Sequence, residues 1–455
     1  MPGTSLSARR EFMSEAFAAE ATKLKIYTER QFEQIEQLQC LPEEQRLAMR
    51  VVAKVLPFRV NQYVIEELID WNNVPEDPVF QLTFPQPDML DKPGFEKVAE
   101  AVRDGDKTTI ATAVEAVRTT LNPHPAGQVS LNVPRLDGDT LPGMQHKYRE
   151  TVLFFPSQGQ TCHSYCSFCF RWAQFVGDKA MRFSAREVEG LHAYLRRRPQ
   201  VTDLLITGGD PMVMKTHHLE DYLEPLTRPE FNQLQTIRIG TKSLTFWPQR
   251  YVTDADADEL LALFARLVKK GKHVALMAHF NHWREMETPM VQEAIRRIRE
   301  TGAVIRTQAP LLRHINDDPK VWTEMWRRQV KLGLIPYYMF VERDTGARKY
   351  FEVPLARAWE IYRQAMQGVS GLARTARGPS MSAGPGKVEI QGVTEIAGEK
   401  VFVLRFIQGR NPDWVQRPFF ARFDATATWL DQLEPAFGEK EFFFEPEYRE
   451  MCKKV

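Results

Sequence analysis

From about residue 150 to residue 340, short apolar runs alternate with amphipathic stretches, and no other feature limits the fold of this chain so strongly. Candidate strands are Thr151–Phe155, Asp203–Ile206, Thr236–Ile239, His273–Met277, Val304–Thr307 and Ile335–Phe340. Candidate helices among them include Ala185–Arg197, Asp254–Lys270, Pro289–Thr301 and Asp318–Lys331. Strands joined through helices make βαβ crossovers and pair in parallel, so the fold class is α/β. Six such units suit an open sheet or a barrel, and periodicity does not choose between them. In both architectures ligands gather at the carboxyl ends of the strands. Polar motifs that directly follow strands are therefore the ones to read for chemistry.

The flanking segments differ. Apolar residues at three- and four-residue steps, among them Phe12, Phe17, Leu24, Phe32, Ile35 and Leu38, predict a helix between Glu11 and Gln39. Further helices are predicted over Glu43–Val55, Gly94–Val102 and Lys107–Leu121, with prolines between them. From Gly378 a Gly/Pro/Ser stretch precedes two short strands, Val388–Gln391 and Val401–Ile407, and an aromatic-rich tail. The expected division is a helical region over 1–140, the βα repeat over 141–377 and a C-terminal region over 378–455, packed on the repeat or on a neighbouring subunit. A formal net charge of +1 argues against a nucleic-acid partner held by bulk charge. No apolar run approaches the roughly 20 residues of a membrane span, and Met1–Arg10 is not followed by the apolar core of a secretory signal. A soluble, cytoplasmic protein is expected.

Five cysteines are too few for a disulfide framework, and three of them fall in one short run, Cys162-His-Ser-Tyr-Cys166-Ser-Phe-Cys169, just after the first strand. In a reducing compartment a tight cysteine cluster reads as a metal or cofactor site. Thiolate donors favour iron–sulfur or zinc. Three cysteines with no fourth nearby leave one iron of a cluster open to an outside ligand. Zinc held by three cysteines and His163 is the poorer reading, because adjacent Cys162 and His163 do not easily bind one tetrahedral ion. Cys40 and Cys452 read as inert thiols.

This run resembles the signature of radical S-adenosylmethionine enzymes, and the chain from about residue 140 to 390 is similar to the lysine 2,3-aminomutase family. The resemblance is carried in order by His146-Lys147-Tyr148, Cys169-Phe170-Arg171, Thr207-Gly208-Gly209-Asp210-Pro211, Arg238-Ile239-Gly240-Thr241-Lys242, Pro248-Gln249-Arg250, His279-Phe280-Asn281-His282, Gln308 with Leu311-Leu312-Arg313, Pro336-Tyr337-Tyr338 and Gly384-Pro385-Gly386-Lys387. It implies a partial (β/α)6 barrel of TIM type with N- and C-terminal extensions. It also implies a [4Fe–4S] cluster on Cys162, Cys166 and Cys169, S-adenosylmethionine as ligand of the open iron, and pyridoxal 5′-phosphate on Lys387 as a Schiff base. By the same resemblance Gly208, Gly209 and Asp210 contact the methionine amino group. Lys147 lies near the cofactor phosphate, and His279 and Gln308 line the nucleoside and cofactor pocket. Arg171 binds the substrate α-carboxylate. A free amino acid as substrate, an electron donor such as flavodoxin or ferredoxin, and a homo-oligomer complete the expectation.

The chain departs from the family at the substrate tail. The two family aspartates that read a lysine ammonium fall on Arg343, with Asp344 one residue later, and on Ser380. A cation facing a lysine tail repels it, so an acidic or uncharged amino acid is expected to do better than lysine. The family's zinc-binding cysteines are missing, with Asp317 or Asp318 where one would stand, and no zinc is expected. A second family arginine falls on Thr151, leaving Arg149 as its substitute. Two other readings compete. One is modification of a lysine on a partner protein, as in the branch that acts on elongation factor P. The other is a non-catalytic, ligand-binding descendant.

Overall fold

All six expected strands form in the computed structural model, which describes residues 25–122, 131–176, 184 and 188–453. They are β2 (Thr151–Phe154), β3 (Asp203–Ile206), β4 (Thr236–Thr241), β5 (His273–His279), β6 (Val304–Leu311) and β7 (Ile335–Val341), preceded by β1 (Met144–Tyr148). Neighbours in the chain are neighbours in the sheet, and β2 to β7 pair in parallel. Each parallel strand is followed by a helix: Val188–Arg196, Thr216–Leu223, Ala257–Lys269, Pro289–Glu300, Pro319–Lys331 and Leu355–Gln367. The starts of two of these helices are written in the sequence. Thr288 accepts the N–H of Val291 and Asp318 that of Lys320, each just ahead of a proline whose missing N–H costs nothing there. Strands covered on both faces read as unbroken apolar runs, and Val274–Ala278 is buried throughout.

Two expectations are corrected. The Gly/Pro/Ser stretch contains a further parallel strand, β8 (Arg377–Ser382), beside β7. Its composition hides it, because small residues are needed for packing at that place. A Cβ on Gly378 would lie 2.3 Å from the Met339 carbonyl oxygen, and its φ of +148° suits glycine alone. The sheet then continues antiparallel through β9 (Gly386–Ile396), β10 (Glu399–Gly409) and β11 (Pro418–Arg422), giving eleven strands in one sheet. The expected helix from Glu11 to Gln39 lies outside the described residues as far as residue 24. Beyond that it is a short strand, Ile26–Thr28, and two 3₁₀ segments, Glu29–Gln34 and Glu36–Cys40. Phe32, Ile35 and Leu38 recur at steps of three, the 3₁₀ period, and all are buried. The helices Glu43–Val55 and Lys107–Leu121 form as expected. No helix among the described residues is long and apolar enough to cross a membrane.

The N-terminal region has a task at the cysteine run. Arg59–Asn61 lies along the loop that follows β2: the Tyr165 N–H donates to the Arg59 carbonyl at 2.8 Å and the Asn61 N–H to Ser164 Oγ at 3.1 Å. The Ser167 N–H and hydroxyl donate to the carbonyls of Leu82 and Gln81. Asn61 is fully buried. Its amide donates to the carbonyls of Phe246 (2.7 Å) and His163 (3.4 Å) and accepts from the Val64 N–H at 3.0 Å. Each buried group left unpaired costs about 1–3 kcal/mol. Asn61→Ala is therefore expected to destabilise the protein by on the order of 3 kcal/mol and to lower the iron retained after reconstitution. Thermal unfolding and iron analysis check this, and unchanged values in both would count against the buttressing role.

Candidate active site

One cavity of about 970 Å³ opens over the carboxyl ends of the parallel strands. Cys162, Cys166, Cys169, Lys147, Arg171, Gly208, Gly209, Asp210, His279, Gln308, Arg343, Asp344 and Lys387 all reach its wall. Ser380 does not. It is fully buried in β8, with its hydroxyl directed to the Met339 carbonyl at 3.4 Å, so the expectation that it contacts substrate is withdrawn.

The cysteine loop turns tightly, with the Cys169 N–H on the Cys166 carbonyl and the Trp172 N–H on the Cys169 carbonyl. Burial holds the Cys162 and Cys166 thiols above the usual range and raises Cys169 to about 11; at Cys162 the neighbouring Asp210 and the other two thiols add to the effect. No three His, Cys, Asp or Glu side chains among the described residues meet closely enough to hold a single ion. Three thiols around one opening fit a broader polynuclear centre, which takes them as thiolates and releases their protons. His163, also on the cavity wall, stacks on Trp247, ring centres 6.3 Å apart, and its Nδ1 has no hydrogen-bond partner.

The segment after β3 packs directly on this loop. A Cβ on Gly209 would fall 2.4 Å from the Thr161 carbonyl oxygen, and one on Gly208 would fall 2.5 Å from Gln160 Nε2. The two glycines are thus required by the contact of one loop with the other. Asp210 is occupied with the protein itself: its carboxylate accepts from Thr241 Oγ1, from the Met212 N–H (2.9 Å) and from the Lys242 N–H (2.8 Å). It joins the ends of β3 and β4 at the cavity wall. Burial raises its pKa and these donors oppose the rise. At the next two strand ends, His279 Nε2 and Gln308 Nε2 lie 2.8 Å apart. Burial, and then Lys242, bring His279 down to about 3, so its ring is neutral. Lys242 donates to Glu285 (2.7 Å) and Asn281 (2.9 Å). Glu285 is fully buried and was not singled out from the sequence.

Across the cavity, at the start of β9, Lys387 Nζ lies 4.1 Å from the centre of the Tyr338 ring. Burial, then Arg377 and Arg238, lower its amine to about 7, as a Schiff-base lysine requires. Beside it Lys147 donates to the Ala383 carbonyl, and burial followed by Arg410, Arg343 and Lys387 pushes its pKa well down. Arg410 donates to the Gly384 carbonyl (2.9 Å) and to Asn132 Oδ1 (2.6 Å). Cations crowded without a carboxylate partner fit a dianionic phosphate, and the fit to pyridoxal 5′-phosphate is good on both counts. Arg410 carried no signal in the sequence. Arg149, the expected substitute for the missing arginine, is exposed, with its Nε 3.6 Å from Glu150 and off the cavity wall. The glycines ahead of Lys387 are again packing glycines: a Cβ on Gly384 would meet the Tyr448 hydroxyl at 2.2 Å, and one on Gly386 the Gln408 carbonyl at 2.4 Å.

Arg171 sits between the two ends. Its Nη1 donates to the Gly208 carbonyl at 3.0 Å and its guanidinium lies 4.1 Å from the Phe155 ring centre. Burial brings its pKa to about 10. Arg343 and Asp344 follow β7, with Arg343 Nε 3.6 Å from Asp344 Oδ1. Glu342, also on the wall and absent from the sequence reading, is buried, and burial pushes its carboxyl well above the usual range.

No protein-family model matches the chain. It is 30% identical over 400 residues to an Aquifex aeolicus protein provisionally named L-lysine 2,3-aminomutase, covering 88% of this chain and 93% of that one. It is also 30% identical over 212 residues to the glutamate 2,3-aminomutase of Clostridioides difficile, covering 47% of each. Among solved structures, a radical SAM methyltransferase from Sphaerobacter thermophilus aligns with a TM-score of 0.37 and 18% identity, over 53% of this chain and 70% of that one.

The low pKa of Lys387 has a measurable consequence. A lysine titrating near 7 is mostly neutral above that pH, so capture of pyridoxal 5′-phosphate by the protein is expected to increase as pH rises through about 7 and then level off. Borohydride trapping and peptide mapping should label Lys387. Arg410→Gln should weaken capture by about tenfold, as loss of a charged hydrogen bond would. A pH midpoint near that of free lysine, or a label elsewhere, contradicts the assignment.

Proposed function

The chain belongs to the lysine 2,3-aminomutase family of radical S-adenosylmethionine enzymes, and from this premise we propose that it moves the amino group of a free α-amino acid from C2 to C3. One observation carries the reading: a loop of three half-buried thiols and a half-buried lysine with a near-neutral pKa face the same cavity. When bound, the iron–sulfur cluster with S-adenosylmethionine supplies a carbon-centred radical that removes hydrogen, and pyridoxal 5′-phosphate supplies a carbonyl that takes the substrate amine. The net change is an isomerisation. A C–N bond at C2 and a C–H bond at C3 break, and the C–N bond at C3 and the C–H bond at C2 form.

The protein's own residues bind, orient and exclude water. Cys162, Cys166 and Cys169 hold the cluster. Lys147 and Arg410 hold a phosphate beside Lys387, whose neutral amine at physiological pH is the form that can attack a carbonyl. Arg171, fixed by the Gly208 carbonyl and the Phe155 ring, is placed to take an α-carboxylate between the two cofactor ends. Neutral His279 and Gln308 line the wall between these ends, where an imidazolium would add to an already cationic site. The six βα units read best as a partial (β/α)6 barrel that β8 extends. Relatives named for lysine and for glutamate leave the side chain of the substrate open.

The test is an anaerobic assay of the reconstituted protein against each proteinogenic amino acid, scored for β-isomers. One amino acid should give its β-isomer, and Cys162→Ala, Cys166→Ala or Cys169→Ala should each reduce cleavage of S-adenosylmethionine to background. Cleavage with no β-isomer from any amino acid would refute the aminomutase reading.

A further inference from the structure

Building on that reading, we propose that the substrate is an α-amino acid whose side chain ends in a carboxylate, read by Arg343 beside two aromatic rings, one of them delivered by the segment 424–433 that follows β11, here called the strap. The charge of the cavity is the first ground. Lys147, Arg171, Arg343, Lys387 and Arg410 line it, and among the described residues none has a carboxylate within hydrogen-bonding range. Lys147 and Arg410 flank the loop at Ala383 and Gly384 beside Lys387, which suits a phosphate, and Arg171 suits the α-carboxylate. Arg343 is the cation without such a role, its one carboxylate neighbour at ion-pair distance among the described residues being Asp344.

Its surroundings are the second ground. The guanidinium lies 5.3 Å from the centre of the Phe170 ring and 5.8 Å from that of Trp429. Its Nε is buried and donates to nothing. Asp344 Oδ1, at 3.6 Å, is beyond hydrogen-bond length. A planar guanidinium set beside rings, with an unused buried donor, is matched to the two oxygens of a carboxylate. An ammonium tail would meet like charge in the same place.

The third ground is how Trp429 arrives. Arg348 Nη2 donates to Thr428 Oγ1 at 2.9 Å, the Thr428 hydroxyl donates to Glu352 at 3.0 Å, and the Leu355 N–H donates to the Ala427 carbonyl at 2.8 Å. The strap is thereby tied to the segment that carries Arg343, and the ring and the cation are positioned together.

Calorimetric titration of the cofactor-loaded enzyme, without reductant, with L-glutamate, L-aspartate, L-glutamine, L-asparagine and L-lysine tests this, alongside anaerobic turnover. One of the two acids should bind about a hundredfold more tightly than its own amide, since a site built for a polar group penalises its loss. Arg343→Gln should erase that ratio, Arg343→Lys should keep part of it, and Trp429→Leu should reduce it by about tenfold, all judged on variants with unchanged melting temperature. An acid-to-amide ratio untouched by Arg343→Gln overturns the proposal. So does preferred binding of lysine that Asp344→Ala destroys. Arg343-dependent binding of an acid with no β-isomer would leave this inference standing and sink the aminomutase reading. A β-isomer from lysine alone would do the reverse.

Discussion

The contact of two backbones at Gly209 and Thr161 governs the rest of the site. The loop bearing the three cysteines can lie where it does only because the residue opposite has no side chain, and Asp210 then locks the arrangement through its bonds to Thr241, Met212 and Lys242. The Arg59–Asn61 strand presses the same loop from the far side. The loop is thus gripped between the N-terminal region and the ends of β3 and β4. Metal binding is coupled to folding, and the grip supplies part of the order that a cluster requires from outside the loop itself.

Electrostatics divides the cavity. At the cysteine end Lys242 is neutralised by Glu285, and His279 is kept uncharged by burial. At the Lys387 end Lys147, Lys387 and Arg410 have no carboxylate partner among the described residues; burial lowers all three, and neighbouring cations add to the effect at Lys147 and Lys387. Such a cluster is costly for the empty protein and is relieved by anionic ligands, so stability and ligand binding are linked at this end.

Much of this was legible in the sequence, for physical reasons. Strands buried on both faces are apolar throughout, and helices between them carry a buried stripe, so Thr151–Phe154 to Ile335–Val341 could be read directly. Motif residues at strand ends converge because a parallel sheet gathers those ends in one place. What escaped the reading depends on packing. β8 carries Gly378, Pro379 and Ser380 at its centre, where Gly378 passes against Met339, and local composition contradicts its state. The 3₁₀ segments near Phe32 and Ile35 share their spacing with a helix face. Arg410, Glu285 and Glu342 lie outside any recognisable pattern, and only the folded chain brings them to the cavity or beneath it. Ser380 failed the other way, since an ungapped register put it at the site and the fold buried it.

The strap that carries Trp429 also sets an order in time. Trp429 follows Cys169 by 260 residues, the difference of their positions, and at about 5–20 residues per second the ribosome needs some tens of seconds to make that interval. The N-terminal buttress and the cysteine loop therefore emerge well before the segment that brings Trp429 to the cavity wall. Closure comes only when the strap ties down on Arg348, Glu352 and Leu355. Synthesis from N- to C-terminus thus completes the wall at Trp429 last.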